Sequence, residues 1–357
     1  MKRVLIVDFN GTAPTYNYYF VKGLLHEGLD VKVLGKENDT FTAIHEEKIK
    51  YIGINSGLKF LDYIMNWIML FFLAKQYDVI HFQWLPMLKF TSIELSLLKM
   101  LRKTNKNIFY TVHNFFPHNS INERVNQRYI ALYKLIDNLV VHADATTLKI
   151  KEQVNDKEII KIEHGYFYAE FRNNTKKTKQ YDLAMLGNIL PYKGVEDAIE
   201  AIALMPENNL KLLIAGKCTP EYEASLRKLI ADKALENQVF LEIGFLSVQQ
   251  LIDYYAVSTL SIMPYKEIEQ SGVLYTSLGL KIPIIGYKSG GISETVINNQ
   301  NGYLVEKNNI AALSKAIEIG LMNRQKWCDY IEEFNIEDLW CKNARILKES
   351  YFRCVNS

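Results

Sequence analysis

A chain of 357 residues is longer than one hydrophobic core usually spans, so two domains are expected. With 48% apolar and 23% charged residues and a net charge of +2, the composition is that of a soluble globular protein, and no nucleic-acid partner is expected. Four cysteines without C-x-x-C spacing argue against a disulfide framework or a zinc site and fit a reducing compartment.

The apolar run at the start, Val4–Val7, is too short for a signal peptide and ends at Asp8, so a cytoplasmic location is expected. From there short β-branched runs alternate with helical patterns. The first series of candidate strands is Val4–Asp8, Val31–Leu34, Val79–Phe82, Ile108–Val112, Leu139–His142 and Ile159–Ile162. Within it lies the apolar stretch Phe60–Leu73, interrupted by Asp62 and Asn66 and too short and polar to span a bilayer. A core-packing helix is the simpler reading. The functional one is a surface that touches a membrane, helped by the basic cluster Lys99, Arg102, Lys103 and Lys106. Residues 1–165 hold 21 Lys or Arg against 17 Asp or Glu, a mild positive excess.

The polar stretch Arg172–Gln180 precedes a second series: Leu183–Leu186, Leu210–Ala215, Val239–Leu241, Leu260–Met263, Ile282–Ile285 and Gly302–Val305. Strands alternating with helices indicate parallel βαβ units with both sheet faces covered, and two such series indicate an α/β protein of two Rossmann-like domains. The last segment, Asp338–Phe352, places Leu339, Ala344, Leu347 and Tyr351 near one helical face.

The sharpest chemistry lies in the second series. Leu186-Gly187-Asn188-Ile189-Leu190-Pro191-Tyr192-Lys193-Gly194-Val195 runs from a strand through a turn into a helix. Gly187 lets a ligand approach the backbone, the helix start offers unpaired N–H groups, and Lys193 adds a full positive charge; together they suit a diphosphate. The segment Met263–Thr276 again leaves a strand and opens a helix. Ser271 is the expected N-cap there, with the N–H groups of Gly272 and Val273 facing an anion. Glu267 or Glu269 is placed to accept hydrogen bonds from sugar hydroxyls, although a solvated loop acid is the plainer reading of each. A third loop, Ser289-Gly290-Gly291-Ile292-Ser293-Glu294, has the glycines for a tight turn beside a ligand.

In the first series His113-Asn114-Phe115-Phe116-Pro117-His118 leaves the carboxyl end of a strand, where open α/β sheets place ligands. His81, Gln83 and Trp84 leave the preceding strand, and with His118 they are the candidates to line an acceptor pocket. The loop Phe9-Asn10-Gly11-Thr12 follows the first strand with a single glycine. No D-x-D motif is present to hold a divalent metal, no carboxylate pair of the hydrolase kind is evident, and no strand runs into G-x-G-x-x-G. Neither a metal nor a tightly held cofactor is expected.

The runs G-N-I-L-P-Y-K-G-V, L-L-I-A-G, I-G-F-L-S…L-I-D-Y-Y, P-Y-K-E-I-E-Q-S-G-V-L and K-I-P-I-I-G-Y-K-S-G-G-I-S-E keep their order and spacing across residues 184–305. They resemble the C-terminal domain of glycosyltransferase family 4, and D-V-I-H-F-Q-W-L-P and T-V-H-N-F-F-P-H-N look like segments of its bacterial polysaccharide-building members. The resemblance implies a GT-B fold, two Rossmann-like domains facing each other across a cleft. Residues 1–170 would form the acceptor side and 171–339 the nucleotide-sugar domain, with a helix in 340–357 crossing back to the first domain. It implies metal-free, retaining transfer from a nucleotide diphosphate sugar, a UDP-sugar on family frequency, to a glycan or polyprenyl-linked acceptor. The setting would be surface polysaccharide synthesis, with peripheral contact at the inner membrane face.

Carried onto this chain, the resemblance assigns His113, Lys193 and Glu269 to the transferring centre. It assigns Gly11, Gly187, Asn188, Gly244, Phe245, Glu267, Ser271, Gly272, Val273 and Thr276 to the donor. Two positions depart from the family pattern: Asn188 stands where many members have a second phosphate-binding Arg, and Thr276 where many have a ribose-binding Glu. Two rivals therefore stand beside the transferase reading. One is a sugar-nucleotide epimerase of similar build, which needs no acceptor. The other is a catalytically weak, glycosyltransferase-like binding partner of another transferase.

Overall fold

The computed structural model describes residues 2–37, 49–105, 107–117, 122–154, 157–175, 177–333 and 336–353. The chain divides into two compact units, Met1–Gly165 with Glu337–Ser357, and Tyr166–Ile336.

The first unit is built on six parallel strands in the order β2-β1-β3-β4-β5-β6, namely β1 Arg3–Asp8, β2 Asp30–Gly35, β3 Val79–Phe82, β4 Ile108–Val112, β5 Asn138–Val141 and β6 Glu158–Lys161. Every residue of β3, β4 and β5 is buried, as expected for strands covered on both faces. The covering helices are α1 Pro14–His26, α2 Lys59–Leu73, α3 Ile93–Leu101, α4 Glu123–Leu135 and α5 Asp144–Gln153.

Helix α2 departs from the core-packing expectation on one of its faces. Its two polar interruptions point inward: Asp62 accepts from Ser56 N (2.9 Å), Ser56 Oγ (2.5 Å) and Gly57 N (3.2 Å), and Asn66 exchanges bonds of 2.8 and 3.1 Å with the Ile54 backbone. Trp67 and Leu70 are buried beside them. Holding these four inward turns Phe60, Leu61, Ile64, Met65, Ile68 and Phe72 outward, and Phe60 and Phe72 are 72% and 75% exposed.

The last helix, α12 (Ile336–Arg353), packs on this first unit. Trp340 lies against Gly165 so closely that a Cβ there would fall 2.1 Å from the indole, and Tyr351 bonds its hydroxyl to His81 Nδ1 at 2.6 Å. Asn343 bonds Glu163, and Arg345 pairs with Glu27.

The second unit carries the other six parallel strands in the order β12-β11-β10-β7-β8-β9. They are β7 Tyr181–Leu186, β8 Leu212–Gly216, β9 Val239–Ile243, β10 Ser258–Met263, β11 Ile284–Tyr287 and β12 Gly302–Val305. Between them run α6 Val195–Ala203, α7 Pro220–Asp232, α8 Val248–Ala256, α9 Gly272–Gly279 and α10 Gly290–Thr295, followed by α11 Ile310–Glu333. Each of the twelve expected strands is present.

Candidate functional site

In the second unit the strand order reverses between β7 and β10, and the loops leaving the carboxyl ends of those two strands meet there. After β7 the chain reaches Gly187 at φ +90°, a backbone conformation that side-chain-bearing residues avoid. A Cβ at Gly187 would lie 3.0 Å from Val273 Cγ2 and 3.6 Å from Lys193 Nζ, so the three positions converge. The turn Pro191–Lys193 and Gly194 (φ +68°) then deliver the chain into α6, with Gly194 so near Pro264 that a Cβ would sit 2.2 Å from its carbonyl oxygen. The β10 loop answers with Lys266 N donating to the Tyr192 carbonyl at 2.8 Å, and with Lys266 Nζ 3.1 Å from Asp197. The other Asp197 oxygen accepts from Tyr287 at 2.9 Å. These ties make the two loops one piece.

Lys193 is the electrostatic centre of that piece. It is 6% exposed, its Nζ stands 5.2 Å over the Tyr265 ring, and among the described residues it has no carboxylate partner. Burial pushes its pKa down to about 8. A buried cation without a counter-ion is poised to take an external anion. Ser271 occupies the N-cap of α9 but makes no capping bond, and among the described residues the N–H groups of Gly272 and Val273 have no partner.

The remaining donor candidates differ in exposure and in what they bond. Asn188 is exposed directly after Gly187, and Glu267 is exposed and Glu269 half-buried on the β10 loop. The α10 loop braces that loop: Gly291 N donates to the Glu269 carbonyl at 3.1 Å, and a Cβ on Gly290 would meet the Ile268 oxygen at 1.6 Å. Thr276 is buried, and its hydroxyl is spent within α9 on the Gly272 carbonyl at 2.8 Å. Gly244 N bonds the Gly216 carbonyl at 3.0 Å, and the next residue, Phe245, is 69% exposed with Lys217 Nζ 4.9 Å over its ring. Lys217 escaped the sequence reading because its partner lies on a different strand end; its position just after the L-L-I-A-G strand was the available signal.

In the first unit the strand order reverses between β1 and β3. Asp8, at the end of β1, accepts from Thr12 N (3.0 Å), Ala13 N (3.2 Å) and Asn17 Nδ2 (2.7 Å), which folds the loop holding Gly11 (φ +58°) onto the start of α1. Burial raises the Asp8 pKa against the pull of those hydrogen bonds. Sequence reading missed this residue, although an acid at a strand end before a helix is a recognisable capping signal. Past β4, His113 stacks on Trp84 with ring centres 4.8 Å apart and planes 5° from parallel, and its Nε2 lies 3.1 Å from Gln83 Oε1. Tyr16 stands at the middle of a ring cluster with His113, His142 and His164 at 4.8, 5.3 and 5.5 Å.

Burial holds His113 and His164 well below the usual histidine pKa and His142 at about 4, so all three are neutral near pH 7. Around them Gln83 Nε2, Trp84 Nε1, Asn114 Oδ1 and His142 Nε2 are buried without partners among the described residues. Orphaned polar atoms gathered at the carboxyl ends of β3, β4 and β5 mark a place where a polar ligand would be held. His81 is not brought there: it sits within β3 with Nδ1 on Tyr351 of α12 and Nε2 2.8 Å from Thr111 Oγ1 of β4, so both ring nitrogens are engaged within the packed interior. His118 lies outside the described residues. Among those described, no group of three His, Cys, Asp or Glu side chains is placed to hold a metal ion.

Residues 168–335 match the sequence profile described as glycosyl transferases group 1. A GDP-mannose:glycolipid 4-beta-D-mannosyltransferase of Xanthomonas campestris pv. campestris is 26% identical over 230 residues, 60% of this chain and 62% of the relative. The chain thus spans somewhat less than two thirds of that relative's length. Among solved structures, sucrose-phosphate synthase from Thermosynechococcus elongatus superposes with a TM-score of 0.71 at 16% identity, over 99% of this chain and all of that one. Anabaena HepE, solved with UDP-glucose, gives 0.69 at 16% identity over the full length of both. Likeness at that identity is one of fold, and it extends the GT-B fold over both units. Residues 168–335 thus carry a likeness to glycosyl transferases group 1, and the two units together have the GT-B fold of two Rossmann-like domains.

Proposed function

We propose that the protein is a retaining, metal-independent glycosyltransferase of surface polysaccharide synthesis. It moves a sugar from a nucleotide diphosphate to a hydroxyl of a glycan or lipid-linked acceptor. The observation that carries this reading is the buried Lys193 amine, with no carboxylate partner among the described residues, converging with Gly187 and the start of α9. As the bond from sugar C1 to the diphosphate oxygen breaks, negative charge grows on the leaving group. Lys193 and the N–H groups of Gly272 and Val273 meet that charge already oriented, which lowers the barrier without reorganisation. The acceptor oxygen bonds C1 from the face the diphosphate leaves, and its proton passes to a departing phosphate oxygen. Neutral His113 serves as a hydrogen-bond partner of the transferring sugar, and Glu269, with Glu267 beside it, accepts from sugar hydroxyls. The unit 166–336 takes the donor; the unit built from 1–165 and the last helix takes the acceptor.

A UDP-sugar is the donor in this reading, in keeping with the UDP-glucose bound in HepE. GDP-mannose, named for the Xanthomonas relative, is the competing choice. Phe245 with Lys217 offers an aromatic face and a cation for the nucleotide base in either case. The outward apolar face of α2 supports work at the inner surface of a membrane. Among the described residues no helix is long and apolar enough to cross one, and contact through this face is peripheral.

The test is incubation with UDP- and GDP-sugars, with and without a polyprenyl-linked glycan, following nucleotide release. Release that needs the acceptor supports transfer. Release without acceptor, accompanied by an epimerised sugar, would make the protein an epimerase. Tight nucleotide binding with no release would make it a binding partner.

A further inference from the structure

The His113 ring is fixed from three sides. Trp84 lies flat on one face, with ring centres 4.8 Å apart and planes 5° from parallel, and Tyr16 meets it edge-on at 4.8 Å and 86°. The third contact is polar: Gln83 Oε1 stands 3.1 Å from His113 Nε2. Gln83 is itself anchored. It follows β3 directly, is fully buried, and donates its backbone N–H to the Val7 carbonyl at 2.9 Å. Across the ring, His113 Nδ1 bonds nothing among the described residues. Nor is it sealed from solvent without a partner, as Gln83 Nε2, Trp84 Nε1 and Asn114 Oδ1 are. One ring nitrogen therefore faces a buried amide, and the other is left for a ligand. Burial keeps the ring uncharged near pH 7, so it has a single N–H to place. An amide oxygen beside Nε2 draws that N–H to Nε2; with the proton on Nδ1, two lone pairs would face each other in the interior. His142 follows the same logic, its Nδ1 lying 3.3 Å from the Ile162 carbonyl and its Nε2 being left as the acceptor.

We propose that Gln83 is a positioning residue that fixes His113 as the Nε2–H tautomer, so that Nδ1 offers a lone pair and accepts a hydrogen bond from a hydroxyl of the transferring sugar. The inference rests on the transferase reading and makes its His113 contact specific. The sugar group facing His113 has to donate. A fluorine, ether, carbonyl or carboxylate in its place sets one acceptor against another in a site closed to water. Trp84 sets the plane of the ring, and Gln83 sets which of its two nitrogens carries the proton.

The experiment records nitrogen-15 NMR spectra of the full chain, labelled in its histidine rings, at pH 7 and without ligand. It compares wild type, Gln83→Leu and His113→Gln, and the signals lost in the last variant are those of His113. In wild type the proton should sit on Nε2. In Gln83→Leu it should move to Nδ1, because an Nε2–H would then be buried with no acceptor. A proton on Nδ1 in wild type would mean that the Gln83 amide nitrogen faces the ring, and would overturn the assignment without any variant. An unchanged tautomer in Gln83→Leu would remove Gln83 from the role. A second arm uses the UDP- or GDP-sugar that supports acceptor-dependent release, together with its monofluoro forms, each lacking one sugar hydroxyl. One of these should turn over about tenfold or more slowly than the parent in wild type. That gap should narrow in Gln83→Leu, where an Nδ1–H can face the fluorine, and comparing the two proteins cancels the inductive effect of fluorine itself. If no fluoro form shows a narrowed gap, the contact with the sugar is refuted. The tautomer is read without substrate, so a proton on Nδ1 in wild type sinks this inference alone. Absence of turnover with every UDP- and GDP-sugar sinks the transferase reading, and the sugar contact with it.

Discussion

Replacing Lys193 with methionine keeps the aliphatic stem and removes the charge, and so separates what the amine does for the reaction from what it does to the fold. One preorganised contact to a developing oxyanion is typically worth about 2–4 kcal/mol, so kcat should fall by about 30- to 1000-fold. The stability effect has the opposite sign. The Lys193 pKa is pushed from 10.5 down to about 8 by burial, which means that holding the cation in the folded chain costs about 3 kcal/mol at neutral pH. Because the folded pKa is the lower one, the unfolded chain binds the extra proton between about pH 8 and 10.5. Wild-type stability should therefore rise with pH across that window, and the cost is fully present below it. The methionine variant carries no such cost, so at pH 7 its Tm should equal or exceed that of the wild type, and the gap should close near pH 10.5. Turnover of a saturating nucleotide sugar and thermal unfolding of the same preparations measure both effects. Near wild-type kcat, or a Tm several degrees lower at pH 7, would refute the reasoning.

Four further outcomes follow from particular contacts. With Lys193 required as the cation, kcat/KM for the donor should be flat below pH 8 and fall above it, and Lys193→Arg should move that fall upward; a level wild-type profile to pH 10 would contradict this. Gly187→Ala forces a Cβ at φ +90° to within 3.0 Å of Val273, so urea unfolding should show a loss of about 1–2 kcal/mol together with a raised donor KM, and an unchanged KM would count against the site. Tyr351→Phe leaves the buried His81 Nδ1 without its 2.6 Å partner and should cost about 1–3 kcal/mol in urea, with an unaltered midpoint as the refuting result. Turnover should survive EDTA, since Lys193 and the helix start supply the charge; activity lost in EDTA and restored by magnesium or manganese would reverse that reading.

What could be read in the sequence was what is local. Strands covered on both faces need continuous β-branched runs, so all twelve showed themselves, from Val4–Asp8 to Gly302–Val305, with ends displaced by a residue or two. Gly187, Lys193 and Val273 were nameable because each lies on a loop that leaves a strand end, although their convergence joins two loops some eighty residues apart. Helix α2 shows the limit. Periodicity reveals two faces but not which is inward: Trp67 and Leu70 pack in the core as expected, while Asp62 and Asn66 turn in beside them because they satisfy a loop backbone that would otherwise be buried unpaired. His81 was named for its neighbours in sequence, while its role is set by Tyr351, 270 positions away. The Tyr16 cluster of histidines was likewise beyond sequence reasoning, since its members come from α1 and the ends of three strands.

The central claim is that the sugar leaves the nucleotide and becomes covalently bound to an acceptor with its configuration kept. The most direct measurement uses a nucleotide sugar labelled with carbon-13 at C1 and follows that carbon by NMR in the presence of a polyprenyl-linked glycan. The account predicts that the label appears in a new glycosidic linkage with the anomeric configuration of the donor, in step with release of the nucleoside diphosphate. Label found only in free or epimerised sugar, or in a linkage of the opposite configuration, would contradict it.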